Sequence, residues 1–150
     1  MLISGIKSSP VLDCIKVAIK GDKHVVSNSI LDILGAAKIN IWFEVQIKNS
    51  NDSMNVTLCV DPQDTEKGAT LITEKHPDLD VRCLQSVTIL SAFPYRENPE
   101  IAFLFLKALE EESIPVIAVS TSLSSIACLV SHEQCSMAIE SLEKVFGLQK

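Results

Sequence analysis

Apolar side chains recur at helical spacing in two stretches of this 150-residue chain. An apolar position at every third or fourth residue places these side chains on one face of a helix. Before the second stretch, Asn98 can cap the first turn, and Pro99 suits the first helical position. The pattern therefore predicts two amphipathic helices, with apolar faces formed by Ile30, Ile33, Leu34 and Ala37 and by Ile101, Leu104, Phe105, Ala108 and Leu109.

Two apolar, β-branched segments follow each predicted helix, and a polar turn joins the two segments. This pattern is typical of β-hairpins. The predicted strands are residues 39–47 and 55–60 after the first helix, and residues 114–120 and 126–130 after the second.

Each hairpin leads into a further predicted helix. The first of these begins at Asp61-Pro62, and the second begins with a Ser131-x-x-Gln134 pattern that fits a capping box. The order helix, strand, strand, helix therefore occurs twice, with an offset of about 70 to 75 residues.

The remaining apolar segments predict how the two copies are completed. Residues 12–19 and 80–85 are strands that open and close the first copy, which gives the ferredoxin-like order β-α-β-β-α-β. Residues 86–91 open the second copy, which has no closing strand of its own. Residues 2–6 form a strand that has no partner nearby in the sequence.

Because an unpaired strand edge is costly, we predict that the N-terminal strand completes the sheet of the second copy. The first copy is then inserted in the second. Residues 10–85 form the first domain, and residues 1–9 plus 86–150 form the second. Two antiparallel sheets, each with helices on one face, make an α+β fold.

The composition argues against several classes of protein. The formal net charge is −6 and Lys and Arg form no run, which disfavours a nucleic-acid-binding surface. No apolar run approaches the about 20 residues that a membrane span needs. Five cysteines, an odd number without a C-x-x-C pair, favour small buried thiols in a reducing compartment. We therefore expect a soluble, cytoplasmic protein with no nucleic-acid or membrane partner.

No pattern indicates a catalytic, metal or cofactor site. His24, His76 and His132 have no second ligand at metal-binding spacing on the same face, so a capping or solvated role is expected for each. The five glycines form no phosphate-binding loop. The hydroxyl cluster at residues 120–125 has no neighbouring Lys or His that could activate a nucleophile. The chain is predicted not to be an enzyme on its own and to use no metal and no cofactor.

A binding function remains, and the loop at residues 20–27 is its best candidate. Free N–H groups and the dipole of the following helix suit a carboxylate, and Asp22 can meet an ammonium group. Together these groups describe an amino-acid ligand. The alternative is that Asp22 and Ser27 are ordinary turn and cap residues.

The chain resembles the paired regulatory ACT domains of aspartokinases over nearly its whole length. Residues 22–46 (DKHVVSNSILDILGAAKINIWFEVQ) are similar to the first ACT domain, with its loop of type D-K-P-G and its I-N-I strand. Residues 98–130, which contain VSTS, and residues 138–148 (AIESLEKVFGL) are similar to the second. The N-terminal LISGI resembles the I-T-G-I strand that completes the second domain in that family.

The resemblance implies an allosteric region that binds lysine, threonine or both between paired ACT domains and inhibits a kinase acting on aspartate. It implies a homodimer formed through the ACT sheets and an aspartokinase catalytic partner, because the family's kinase domain with its K-F-G-G motif has no counterpart here. A fragment, a separate β subunit and a stand-alone ACT protein all fit. The ligand-binding residues implied by the matching positions are Asp22, Lys23, His24, Val25, Asn40, Ile41, Gln46, Ser120 and Thr121.

Two departures from the family pattern define a rival hypothesis. The family's Pro-Gly is His24-Val25 in the first domain and Pro99-Glu100 in the second. Val25 adds bulk where glycine lets the backbone approach a ligand, and Glu100 repels a carboxylate. The second domain is therefore predicted not to bind ligand. The rival is a degenerate ACT pair that serves only as a dimerisation or subunit-contact module.

Overall fold

The structure is a computed structural model that describes residues 2–21 and 24–148. The described residues contain seven strands and four α-helices, with short 3₁₀ turns at Pro62–Asp64 and His132–Gln134. The strands are β1 (Gly5–Ser8), β2 (Leu12–Lys20), β3 (Ile41–Lys48), β4 (Ser53–Val60), β5 (Asp80–Phe93), β6 (Ala118–Thr121) and β7 (Ile126–Ser131). The helices are α1 (His24–Ala36), α2 (Thr65–Lys75), α3 (Pro99–Glu111) and α4 (Cys135–Val145).

The chain divides into two compact units. The inserted unit is Val11–Ser86, and the split unit is Met1–Pro10 together with Val87–Lys150. Each unit has its own cluster of buried apolar side chains. The predicted fold class, α+β with two ferredoxin-like domains of which the first is inserted in the second, is confirmed.

The inserted unit is an antiparallel sheet covered on one face by α1 and α2. Its strand order is β3-β4-β2 followed by the first part of β5. Alternate residues of β2, including Ile15 and Val17, join Leu34 of α1 and Ile72 of α2 in the core. A Cβ at Gly68 of α2 would lie 3.0 Å from Cδ1 of Ile15, so a glycine lets this helix pack closely on the sheet.

The split unit repeats this plan with segments from both sides of the insertion. Strand β1 pairs antiparallel with β5 from Gly5↔Phe93 to Ser8↔Leu90, and β5 pairs with β7, which pairs with β6. The core is formed by α3, α4 and the inner faces of these strands. Ile3, which precedes β1, is buried in this core.

Several details differ from the expected elements, and one is that the N-terminal strand expected at residues 2–6 lies at Gly5–Ser8. Strands 80–85 and 86–91 are one continuous strand, β5, in which Ser86 has a positive φ of 58° and donates its N–H to Oδ1 of Asp13 at 3.0 Å. The strand expected at 114–120 begins only at Ala118, since Pro115 lacks a donor for strand pairing. The capping box at Ser131 is wrong: the Ser131 side chain caps nothing, and a 3₁₀ turn intervenes before α4.

Four of the five cysteines are buried, as expected, whereas Cys83 is exposed. Cys83 lies on the part of β5 where most side chains are open to solvent. Within residues 2–21 and 24–148, no helix has the length and apolar character needed to cross a membrane. In the same residues no group of three or more His, Cys, Asp or Glu side chains is arranged to hold a metal ion.

Candidate functional site

Several strands and a helix begin or end at one edge of the inserted unit. Strand β2 ends there, α1 begins after it, and β4 starts opposite, with Lys20 paired to Ser53. Strand β3 runs parallel to β2 and ends at the same edge, with Lys48 paired to Met54. The loop predicted from the sequence to bind a ligand therefore lies where four backbone segments meet.

A cavity of about 240 Å³ opens at this edge. Strands β2 and β4, the first turn of α1 and the connection from α2 to β5 supply its walls. Both apolar and polar side chains line it. The lining residues are Ala18, Ile19, Lys20, Val26, Ser53, Asn55, His76, Asp78, Leu79 and Asp80.

The cavity has charged groups of both signs. Lys20, at the end of β2, supplies a cation, and Asp78 and Asp80 supply carboxylates. The Asp80 carboxylate also accepts from Nε of Arg82 at 3.3 Å, and both side chains are more than half exposed. A lysine ammonium and aspartate carboxylates are complementary to the two charged groups of a zwitterion.

His76 is held in place at the end of α2. Its Nε2 atom lies 3.0 Å from Oγ of Ser29 on α1, and its backbone N–H donates to the carbonyl of Ile72. The contact between Ser29 and His76 links α1 to the end of α2 on the cavity side of the unit. The ring can offer either a donor or an acceptor, depending on its tautomer.

A second cavity, of about 340 Å³, lies on the exposed face of the same sheet. It shares Ala18, Asn55 and Asp80 with the first cavity and adds Lys16 and Arg82 among its lining residues. The two cavities therefore form one continuous surface within the inserted unit.

None of the described residues that the family resemblance implies for the binding loop lines the first cavity. Asp22 and Lys23 lie outside the described residues. His24 and Val25 begin α1, and Val25 is 81% exposed, so its side chain projects into open space. Lys20 and Val26, from the same loop, do line the cavity.

The residues implied on β3 are spread along that strand. Gln46 lies toward the cavity end, but it lines neither cavity, and its side-chain amide donates to Oε1 of Glu44 at 3.1 Å. Asn40 and Ile41 lie at the other end, where Ile41 pairs with Val60. Six positions of extended chain span about 20 Å, so the inserted unit alone does not bring Asn40 to the binding loop.

Ser120 and Thr121 belong to the split unit. They end β6, where they pair with Ala127 and Ile126 and are exposed. The turn that follows is closed by a bond from the Ser122 N–H to the Ser125 carbonyl at 2.9 Å. The hydroxyl cluster thus turns the chain, as its sequence predicts.

Five polar cavity residues were not identified as site residues from the sequence: Ser53, Asn55, His76, Asp78 and Asp80. They come from β4 and from the α2–β5 connection, which are remote in sequence from the binding loop. The antiparallel pairing of β2 with β4 brings Ser53 and Asn55 there, and the position of β5 beside β2 brings the α2–β5 connection there. The two aspartates flanking Leu79 were the single local signal, and alone they indicate a solvated turn as readily as a site.

Comparison with known proteins gives one family match. Residues 95–146, in the split unit, match the ACT domain family. No curated protein sequence is significantly similar to the chain.

Comparison of folds extends the match to nearly the whole chain. The regulatory subunit of aspartate kinase from Thermus flavus is similar with a TM-score of 0.88 at 11% identity, over 97% of this chain and 99% of that one. A structure of aspartokinase alpha and beta subunits is similar with a TM-score of 0.82 at 21% identity, over 97% and 99%. Aspartate kinase from Synechocystis is similar with a TM-score of 0.87 at 17% identity, over 98% of this chain but 27% of that one. The resemblance to aspartokinase regulatory regions is confirmed, and the chain has their fold.

Proposed function

We propose that the chain is an amino-acid-sensing regulatory module of the aspartokinase type. The observation that carries the proposal is the shared fold, which spans 97% of this chain and 99% of the Thermus flavus regulatory subunit. The ACT match over residues 95–146 supports it independently of the fold comparison. The two compact units then correspond to two ACT domains, with boundaries close to residues 10–85 and to residues 1–9 plus 86–150.

The effector we propose is lysine or threonine, bound at the edge cavity of the inserted unit. Lys20 meets the α-carboxylate, and Asp78 with Asp80 meets an ammonium group. A cavity of about 240 Å³ suits a small metabolite, since the pockets that hold drug-sized ligands measure roughly 300–1,000 Å³. Binding acts on an aspartokinase catalytic partner by favouring one of two arrangements that differ in effector affinity.

The rival function, a subunit-contact module without a ligand, has its own support. Strand β3 forms one edge of its sheet, and it exposes Trp42 at 47% and Ile47 at 54%. Exposed apolar edge strands pair readily with another chain. A second copy that extends the sheet across β3 gives the predicted homodimer with or without an effector.

A thermal-shift titration of the whole chain with lysine and with threonine separates the two functions. An effector at 100 times its dissociation constant adds about 2.7 kcal/mol of stability, which raises the melting temperature of a 150-residue chain by roughly 5–10 °C. We expect Lys20→Gln and Asp78→Asn to reduce this shift strongly. Asp22→Ala and Gln46→Ala test the residues implied by the family resemblance.

Ser122→Ala, in the turn of the split unit, is the matched control and should leave the shift unchanged. A flat melting temperature with both amino acids at millimolar concentration, in a chain that sediments as a dimer, would establish the rival instead. A shift that persists in Lys20→Gln and Asp78→Asn would place the effector elsewhere while leaving amino-acid sensing intact.

A further inference from the structure

Two thiols face each other across neighbouring strands of the inserted unit. Cys14 of β2 and Cys59 of β4 are directly opposed in the antiparallel ladder. Their Sγ atoms lie 2.9 Å apart, and both cysteines are free and fully buried. Neither residue takes part in the cavity or in the proposed effector site.

The pair does not belong to the core between sheet and helices. Ile15 and Val17 of β2, and Leu58 and Val60 of β4, belong to that core. Because side chains alternate along a strand, the Cys14–Cys59 pair points to the other face of the sheet. Lys16 is the next residue of β2 on that face, and it is exposed.

The electrostatic setting favours ionisation of one of the two thiols. The hydrogen bond with Cys59 lowers the pKa of Cys14, and the charge of Lys16 lowers it further, whereas burial and the charge of Asp13 raise it. The same hydrogen bond, together with burial, raises the pKa of Cys59. Because the thiolate is the reactive form, a lowered pKa favours Cys14 as the attacking thiol of the pair.

The other cysteines lack this arrangement. Burial raises the pKa of Cys128 to about 12, and burial also raises the pKa of Cys135 and of Cys83. Cys83 is exposed, so it can react with reagents in solution, but no second thiol is opposed to it in the described strands. A selective reaction at Cys14 and Cys59 is thus distinguishable from general thiol oxidation.

We propose that Cys14 and Cys59 are an oxidation site, at which a small hydroperoxide converts the two thiols into an intrachain disulfide. The Cys14 thiolate attacks the terminal oxygen of the hydroperoxide, the O–O bond breaks, and the alcohol leaves with a proton from solvent. The resulting sulfenic acid at Cys14 is then attacked by the sulfur of Cys59. The S–S bond forms, and the hydroxide leaves as water with the proton of Cys59.

The two steps balance in atoms and electrons. Two thiols and one hydroperoxide give one disulfide, one alcohol and one water, or two waters when the oxidant is hydrogen peroxide. The two sulfur atoms together lose two electrons, and the O–O bond accepts them.

The strand geometry accommodates the product. Directly opposed residues in an antiparallel pair have Cα atoms about 4.5–5.5 Å apart, within the 4.4–6.8 Å range of disulfides. The sulfur atoms need to approach by less than about 1 Å to reach a bond of about 2.05 Å. Cys14 is the third residue of β2 and Cys59 the second-last residue of β4, so both lie near one end of the strand pair, where local opening admits a small oxidant.

The test is peptide mapping of the intact, reduced 150-residue chain after exposure to hydrogen peroxide. Remaining thiols are alkylated in denaturant before trypsin digestion. We expect a cross-link between the peptides of residues 8–16 and 49–67 that a reductant removes, and two fewer alkylated thiols per chain. The melting temperature should rise by roughly 5–10 °C on oxidation and return on reduction, because the bond closes a loop of about 45 residues.

Cys14→Ser and Cys59→Ser should each abolish the cross-link and the change in melting temperature. Cys128→Ser, another buried thiol on a central strand, and Cys83→Ser should retain both. The inference is overturned if the folded chain gives only disulfides through Cys83, only sulfinic or sulfonic acids at single thiols, or a cross-link that appears solely after denaturation. None of these outcomes depends on whether an amino acid binds.

Discussion

Phe103 and Phe105 lie two positions apart on α3 in opposite environments. Phe105 is fully buried in the core of the split unit, whereas Phe103 is 61% exposed. The Phe103 ring lies 5.7 Å from the ammonium of Lys107, a weak cation–π contact at an exposed site. The effect of removing a phenylalanine side chain can therefore be compared at a buried and at an exposed position of the same helix.

We expect Phe105→Ala to lower the free energy of unfolding by about 3–5 kcal/mol, since it removes buried apolar surface and leaves a cavity. Phe103→Ala should cost less than about 1 kcal/mol. Urea unfolding followed by circular dichroism measures both. Equal losses for the two variants would contradict the assignment of α3's buried face.

At the residue scale, sequence patterns predict burial better than they predict the site. The apolar stripe of α3 needs only local periodicity: Ile101, Phe105, Ala108 and Leu109 are buried, and Leu104 is partly buried against the same core. Cavity residues such as Asn55 and Asp78 have no such pattern. Their positions depend on strand register and on where a connection crosses the sheet edge, which are properties of the folded unit.

At the element scale, helix α3 has the clearest start signal in the chain. Asn98 has an extended backbone, and its Oδ1 accepts from the N–H of Glu100 at 3.0 Å. Pro99 occupies the first helical position, where its missing N–H costs nothing. The predicted cap is therefore confirmed.

Asn98→Ala should destabilise the split unit by about 1 kcal/mol, because the first turn loses an acceptor for its free N–H groups. Asn98→Asp keeps an acceptor and should stay within a few tenths of a kcal/mol of the natural chain. Chemical denaturation compares the two. If Asp is as destabilising as Ala, the cap does not contribute through this hydrogen bond.

The same reasoning fails where an element depends on partners distant in sequence. The sequence patterns predict one strand at residues 80–85 and another at 86–91, in different domains, yet the backbone continues through Ser86 as a single strand. The hydrogen bond from Ser86 to Asp13 helps to fix this continuation. Asp13 is 73 positions away, and no local pattern connects the two residues.

At the scale of the whole molecule, the two units differ in the number of chain segments that form them. The inserted unit is one continuous segment with its own core. The split unit also needs the N-terminal segment of the chain. Strand β1 pairs with β5 and contacts α4, and Ile3 is buried in the core of this unit. The order of helices and strands could be predicted because the same pattern of apolar residues occurs in both copies of the repeat. The orphan strand at the N-terminus then indicated the insertion.

We expect residues 11–86 expressed alone to unfold cooperatively on heating. Residues 87–150 alone should show no sharp transition, because they leave the edge of β5 uncovered and a gap where Ile3 packs. Joining residues 1–10 behind residue 150 through a flexible linker should restore the transition. Calorimetry of the three chains measures this, and a sharp transition in residues 87–150 alone would show that β1 is dispensable.

The split unit also has a consequence for folding during synthesis. Strand β1 leaves the ribosome before the inserted unit, and its partner Phe93 emerges only after that unit is complete. Contacts so distant in sequence form slowly, whereas the inserted unit can fold from local segments first. During that interval β1 has an open edge, so it can mispair with another nascent chain.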